Sequence, residues 1–389
     1  MKRITTILLA LLVLLTLCGC GRKSKDETAV IRIGVLEPLS GAYAEEGLRE
    51  TLGIQFANET EPMIRLNGKN CRIELVLADD ASSPEKAASA ANELISAGCC
   101  AVIGSYGAEL SSAASDAFRA AGVAALAVSC DDPQLTRGND HYFRICALTE
   151  LHGLAMAQFA RATLGAKSVY CVVQAGSERD DALLSAFRKA AEPLDMTLTV
   201  SVLPGSTTDF VPCLKAAAEQ EADVLFIPGA IEHAAELIDQ AAAEEIALPI
   251  LAGGGWNDAG IPTAVQEKGI AVYVVDDYAE GADSGFDKGF KDWLAGNEEA
   301  FAGNGGTDAV SPLSALGYDA YQTVLAAIRR AGSADKADVL AVLPGVSCAG
   351  VCGSFSFDDD GGALRSVLWV KKSNAETGEW DPAAKIKLD

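Results

Sequence analysis

The chain has 389 residues, of which 49% are hydrophobic and 22% charged, and a formal net charge of −23. A surface that negative repels phosphate backbones, and no basic cluster overrides it, which argues against nucleic acid as a partner; the acidity itself reports solubility rather than a ligand. Eleven cysteines suggest a disulfide framework until they are placed. Cys71, Cys99, Cys100, Cys130, Cys146, Cys171 and Cys213 mostly fall in apolar strand-like or helix-like runs, where cysteine is a small buried hydrophobe.

Lys2 and Arg3 give a short positive start, followed by an apolar stretch from Ile4 to Leu17. At about 14 residues it is too short to span a ~30 Å hydrocarbon core comfortably, and it reads as a secretory signal. Leu17-Cys18-Gly19-Cys20 resembles the bacterial lipobox, with a small residue before the cysteine that becomes the lipidated N-terminus. That resemblance implies a lipoprotein signal peptide over residues 1–19 and a lipid on Cys20. Loss of Lys2 and Arg3 with the signal takes the charge from −23 to −25. Polar residues 20–30 then suit a flexible tether to the membrane. No second apolar run approaches ~18 residues. The roughly 360 residues that remain exceed what one core organises and point to two lobes.

From residue 31, short β-rich runs alternate with Ala/Leu/Glu-rich helical stretches, the pattern of a parallel sheet covered on both faces. Strands are expected at Ile31–Leu36, Arg72–Ala78, Ala101–Gly104 and Ala124–Val128. Ser83-Pro84-Glu85 starts a helix that Gly98 stops, and a second helix covers Leu110–Ala121. Around Tyr142–Ile145 the series begins again. Its strands are near Ser168–Val173, Thr197–Leu203, Val224–Ile227, Pro249–Leu251 and Val272–Val275; its helices are near Ala182–Ala191, Phe210–Gln220 and His233–Glu244. A helix-rich stretch through Ala331 and a short helix near Ala334–Leu343 precede a hairpin of Ser354–Phe357 with Ser366–Lys371 around Asp358–Gly362. The three acids there fit an Asp/Gly turn, since their spacing is not that of a calcium loop. Two doubly wound halves place a ligand crevice at the carboxyl ends of the strands, between the halves.

Catalytic signatures are absent. There is no G-x-S-x-G elbow, H-E-x-x-H or phosphate loop, and Gly253-Gly254-Gly255 fails as a dinucleotide fingerprint because Asp258 holds the third glycine position. An enzyme reading therefore rests on nothing specific, and no cofactor is expected. Cys348 and Cys352 are spaced to permit a local bridge. His141, His152 and His233 lie far from them in sequence, which argues against a metal site.

Taken in order, Pro38–Gly41 with Gly47, Asp79-Asp80 with Pro84, Val102–Ser105, Ser129–Pro133 with Leu135-Thr136, Tyr142–Arg144, Asp209-Phe210, Gly253–Trp256 and Ala315–Ala320 make the chain resemble the type-1 periplasmic binding proteins. The resemblance covers residues 31 to about 372 and is to the leucine/isoleucine/valine-binding family of ABC importers in particular. It implies an α/β fold of two doubly wound lobes joined by three hinge crossovers, near residues 145–149, 274–279 and 350–355. Lobe 1 would take residues 31–148 and 277–352, and lobe 2 residues 149–276 and 353–389. It further implies an extracytoplasmic monomer, anchored to the bacterial cell membrane through Cys20, that closes on a small polar solute (an amino acid or a relative of one) and delivers it to an ABC permease. The same closure serves a second role, a ligand-sensing lipoprotein read by a membrane receptor. Adjacent permease and ATPase genes would favour the first, a sensor kinase gene the second.

The same resemblance implies a ligand site of Glu46, Tyr106, Gly107, Ala108, Ser129, Asp131, Arg179, Ile231, Gly254, Trp256 and Tyr278. Several of these depart from the family's pattern. Ala108 stands where the family offers a serine hydroxyl to the ligand carboxylate, and Asp131 where it offers a threonine or serine. Gly254 stands where an acid meets the ligand ammonium, while Arg179 and Ala230 or Ile231 fall at aromatic positions. A fixed carboxylate facing a ligand carboxylate is repulsive by more than ~1 kcal/mol in a low-dielectric cleft. A solute with a cationic or hydroxylated end suits Asp131, Glu46 and Arg179 better than a plain α-amino acid held in the usual way. Backbone amides of Gly107 and Ala108 are the other means of holding one.

Overall fold

The computed structural model describes residues 29–388 except 176–177 and 230–232, together with the side chains of all of these but 178 and 179. The first lobe opens with β1 (Ala29–Glu37), α1 (Ala44–Thr60), β2 (Met63–Leu66), β3 (Lys69–Asp79), α2 (Pro84–Ser96), β4 (Ala101–Gly104), α3 (Gly107–Ala121), β5 (Ala124–Ala127) and β6 (Tyr142–Arg144). Its sheet runs β2-β3-β1-β4-β5-β6 and is parallel except at β2. From Ile33 to Glu37 every residue of β1 is buried, because both faces are covered. Ile33 and Val35 enter one cluster with Phe56 and Phe290, while Leu36 enters another with Leu94 and Phe118. A strand buried on two faces reads as an unbroken apolar run, as it does here.

The expected helix start at Ser83 is present. The Ser83 hydroxyl accepts the Lys86 amide at 3.5 Å with Pro84 in the first turn. The antiparallel edge strand β2 was not anticipated. Asn67 (φ 49°) and Gly68 (φ 81°) form the two-residue turn that returns it onto β3, and two consecutive positive φ values are what such a turn needs.

The second lobe follows with α4 (Thr149–Ala162), β7 (Ser168–Gln174), α5 (Glu178–Ala191), β8 (Thr197–Leu203), α6 (Val211–Glu219), β9 (Val224–Ile227), α7 (Ala234–Ala243), β10 (Ile250–Ala252), α8 (Gly260–Ala264) and β11 (Val272–Asp276). The chain returns to the first lobe as α9 (Ser284–Ala295), α10 (Glu298–Gly303), α11 (Pro312–Ala331) and α12 (Lys336–Val342), then forms a small sheet of β12 (Ser347–Gly350), β13 (Gly353–Phe357) and β14 (Ala363–Arg365). It ends as β15 (Val367–Asn374) and β16 (Glu379–Lys387), which complete a second sheet in the order β16-β15-β11-β10-β9-β7-β8.

The C-terminal hairpin differs from the sequence expectation. Strand β13 pairs with β14; apart from one bond from the Ser366 amide to the Ser354 carbonyl, residues 367–371 pair with β11 and β16 instead. Phe355, Phe357 and Ala363 pack in the first lobe's core and Leu368 and Val370 in the second's. The third passage between lobes therefore lies at Arg365–Val367 rather than near 350–355, and residues 353–365 belong with lobe 1. The other two passages are marked the same way. Cys146 belongs to the first core and Ala147 to the second, Val275 to the second and Tyr278 to the first.

Helices α1 and α11 cross closely because both are notched by glycine. A Cβ on Gly53 would overlap the Ser314 carbonyl, and one on Gly317 the Glu50 carbonyl. Gly53→Ala should push the helices apart and cost about 1–3 kcal/mol, read as a lower urea midpoint. An unchanged midpoint would show that the crossing relaxes freely.

Candidate functional site

The loops that leave the carboxyl ends of β1, β4, β5, β9 and β10 converge between the lobes on a cavity of about 700 Å³. Each contributes from a defined place. The loop after β1 and the first turns of α1 bring Tyr43, Glu45, Glu46 and Arg49; the start of α3 brings Tyr106 to Leu110; the loop after β5 brings Ser129 and Asp131. From the second lobe come Asp180 and Leu183 on α5, Pro228-Gly229, Gly254-Gly255 and Asn257-Asp258. The passages themselves form the floor through Cys146, Ala147, Thr149, His152 and Val275–Asp277. Tyr43 and Tyr106, ring centroids 5.6 Å apart, make an aromatic wall.

The motifs that anchor these loops are structural. Asp79 accepts the Leu39 and Ser40 amides at 2.9 and 3.2 Å and the Ser40 hydroxyl at 2.7 Å, which holds the Pro38–Gly41 turn in place. Asp80 accepts the Ser105 hydroxyl at 2.5 Å, and burial raises its pKa.

Of the residues expected from the sequence, Glu46, Tyr106, Gly107, Ala108, Ser129, Asp131 and Gly254 line the cavity. Trp256 and Tyr278 do not, and their assignment is corrected. Trp256 is 1% exposed in the second lobe's core, its indole donating to the Gly229 carbonyl at 3.0 Å. Tyr278 is 0% exposed in the first core, its hydroxyl donating to Asp287 at 2.5 Å. Both aromatics satisfy their polar atom inside the protein, so neither offers it to a solute. Cys20, Ile231 and the Arg179 side chain lie outside the described residues. The sequence reading missed Arg49, Glu109, Thr149, His152, Asp180 and Asn257. It also missed Asp276-Asp277, although two acids closing an apolar strand repeat the Asp79-Asp80 signal that it did use.

Carboxylates dominate the lining: Glu45, Glu46, Glu109, Asp131, Asp180, Asp258, Asp276 and Asp277, against the side chains of Arg49 and His152. Arg49 pairs with Glu45 at 2.5 Å, Lys371 reaches Asp276 at 3.0 Å, and Arg365 reaches Asp277 at 3.2 Å. Asn257 and the Ala147 amide also donate to Asp276 and Asp277, at 2.6 and 2.9 Å. Burial raises the pKa of Asp277, with Arg365 opposing. Arg365 donates to the Ile145 carbonyl at 2.7 Å as well, so one guanidinium ties all three passages together.

Behind the cavity wall lies a second acidic group. Glu50 on α1 accepts the Ser129 hydroxyl and faces Glu37 at the end of β1; both acids are 0% exposed. Burial drives both pKa values up, that of Glu50 to about 7. Among the described residues no group of three or more potential ligands could hold a metal ion, and every cysteine is a free thiol, Cys348 and Cys352 included. No described helix is long and apolar enough to cross a membrane.

Comparison with known proteins places this geometry. The family profile described as "Periplasmic binding protein" matches residues 30–377. An "Amino acid binding protein" of Pseudomonas aeruginosa is 32% identical over 149 residues, 38% of this chain and 39% of that one. The Leu/Ile/Val-binding protein BraC3 of Rhizobium johnstonii is 25% identical over 320 residues, 80% of this chain and 83% of that one. Across the first three curated relatives the matched stretch spans 38–55% of their length. A crystal structure of the leucine binding protein LivK from Thermotoga maritima is 26% identical, with a TM-score of 0.71 over 92% of this chain and 99% of that one.

Proposed function

We propose, from the premise that this chain belongs to the periplasmic binding protein family, that it is the extracytoplasmic solute-binding component of an ABC importer. The family and its structural relatives are solute-binding proteins, not enzymes. The solute is an amino acid or a related small polar molecule, captured as the lobes close and handed to a permease. The signal at residues 1–19, the lipid on Cys20 and the tether through residue 30 hold the protein at the membrane surface. One observation carries the reading: a cavity of about 700 Å³ lies between two lobes, and among the described residues three short passages, tied at Arg365, connect them. Such passages let the lobes rotate about a hinge, and a solute that touches both lobes in the closed form shifts the population toward it.

Protein extracted from its native membrane without unfolding tests this. Mass spectrometry should find a diacylated N-terminal peptide beginning at Cys20 and a small polar solute released on denaturation. Returning that solute to stripped protein should contract the radius of gyration in X-ray scattering and drive uptake in vesicles carrying the cognate permease. An unmodified N-terminus would remove the anchor from the reading. Absence of any retained or added solute that contracts the protein would remove the function.

A further inference from the structure

The family resemblance points to a zwitterionic amino acid with an apolar side chain, but the cavity wall has a different chemistry. We propose that its solute carries net positive charge, an ammonium or guanidinium end seated between acids of the two lobes. This rests on the reading that the interlobe cavity is the solute site.

Three independent features lead there. First, the described charged side chains of the wall are mostly acidic. Cations within the protein pair with Glu45, Asp276 and Asp277. Among the described residues no lysine or arginine pairs with Glu46 and Glu109 of the first lobe or Asp258 of the second. The Asp258 carboxylate accepts the Gly260 backbone amide at 2.6 Å. An anionic or neutral solute leaves these charges facing one another as the lobes close and water departs, whereas a cation placed between them is attracted from both sides.

Second, Ser129 is polarised the wrong way for a carboxylate. A hydroxyl has one hydrogen, and that of Ser129 goes inward to Glu50. What Ser129 offers the cavity is therefore lone pairs, which accept from an ammonium or guanidinium and repel a carboxylate. Third, Ala108 at the start of α3 has no hydroxyl to offer a carboxylate. The backbone amides of that helix turn remain. A zwitterion with a second positive group, such as a basic amino acid, can use them, and so a carboxylate on the solute is tolerated without being required.

The probes are L-arginine, L-lysine and 1,5-diaminopentane, compared with L-leucine and benzoate by titration calorimetry on stripped full-length protein. At least one of the three net-positive probes should bind about tenfold or more tighter than leucine, with affinity falling as sodium chloride is raised past the point where the screening length drops below about 8 Å. Glu46→Gln and Asp258→Asn, one change in each lobe at a partly exposed or exposed site, should each weaken that probe about tenfold while the thermal midpoint of the empty protein stays put. Tighter binding of leucine or benzoate than of every cation, together with contraction in scattering, would overturn this proposal and leave the binding-protein reading intact. Cation binding that neither variant weakens would overturn it too, as would failure of all three cations to bind.

Discussion

Arg365→Met should destabilise the protein by about 3–5 kcal/mol, the range expected when one partner of a buried ion pair is removed. The guanidinium is fully enclosed and faces Asp277 at 3.2 Å and Asp319 at 4.0 Å, and it sits over the Phe355 ring at 4.8 Å. Its Nη1 and Nη2 have no hydrogen-bond partner, so the geometry is not that of an optimal fork. The residue matters because of what its loss would strand. Burial already raises the pKa of Asp277, and that of Asp319 to about 6, with Arg365 pulling both down. Without the cation both carboxyls move higher still. A group whose folded pKa lies above its unfolded value adds stability at low pH and loses it as pH rises through the folded pKa. The deficit of the variant should therefore be larger at pH 8 than at pH 5, where the stranded acids take up protons. Urea unfolding at the two pH values measures it. The companion variant with Asp277→Asn and Asp319→Asn added should recover much of the loss, since no buried charge is then left alone. A deficit below about 1 kcal/mol at both pH values would mean that water reaches the passages and solvates the acids.

How much of this was legible in the sequence depended on whether the signal was local. Strands β1, β4 and β5 appeared where the apolar runs placed them, because a strand covered on both faces needs nothing else to be recognised; β3, only part-buried, appeared from its β-rich run Arg72–Ala78. Helix α2 was visible from Ser83-Pro84-Glu85 for the same reason: its cap is made by its own residues. The third passage was misplaced because Phe357 and Leu368 look alike in sequence, and only the packing sends them to different lobes. Within the site, the loops were legible through their glycines and acids. Trp256 and Tyr278 were misplaced because the family resemblance carries sequence positions and not packing, and the partners that claim their polar atoms, the Gly229 carbonyl and Asp287, are settled by the fold. The ion pairs that neutralise Asp276 and Asp277 come from Lys371 and Arg365, nearly a hundred residues on, and no spacing rule would reveal them.

Glu37 and Glu50 were equally hidden, and they carry the other large effect. Their carboxyl groups face each other with no exposure to water; the Tyr106 amide and the Glu50 carboxyl meet Glu37, and the Ser129 hydroxyl meets Glu50. Two bare carboxylates offer only acceptors, so the arrangement needs a proton between them. Burial and the Glu50 charge push Glu37 up, with Asp80 adding to the repulsion. Burial also pushes Glu50 up to about 7, with Glu46 adding and the Ser129 hydroxyl opposing. Both folded pKa values exceed the unfolded value near 4.5, so the native state holds extra protons above that pH, and stability should fall as pH rises from about 4.5 through 7. At about 1.4 kcal/mol per unit, the shift of Glu50 alone represents about 3 kcal/mol at pH 8. Glu37→Gln removes one of the two acids and supplies a permanent donor to Glu50. It should therefore raise stability at pH 8 by about 2–3 kcal/mol, change little at pH 5, and flatten the decline between them in urea unfolding. A variant less stable than the parent at pH 8 would show that the pair is solvated or otherwise compensated. Because Glu50 reaches the cavity through Ser129, a bound cation should favour its charged form. Saturating the parent protein with whichever net-positive probe binds is then expected to flatten the same decline, a result that leucine or benzoate would not reproduce.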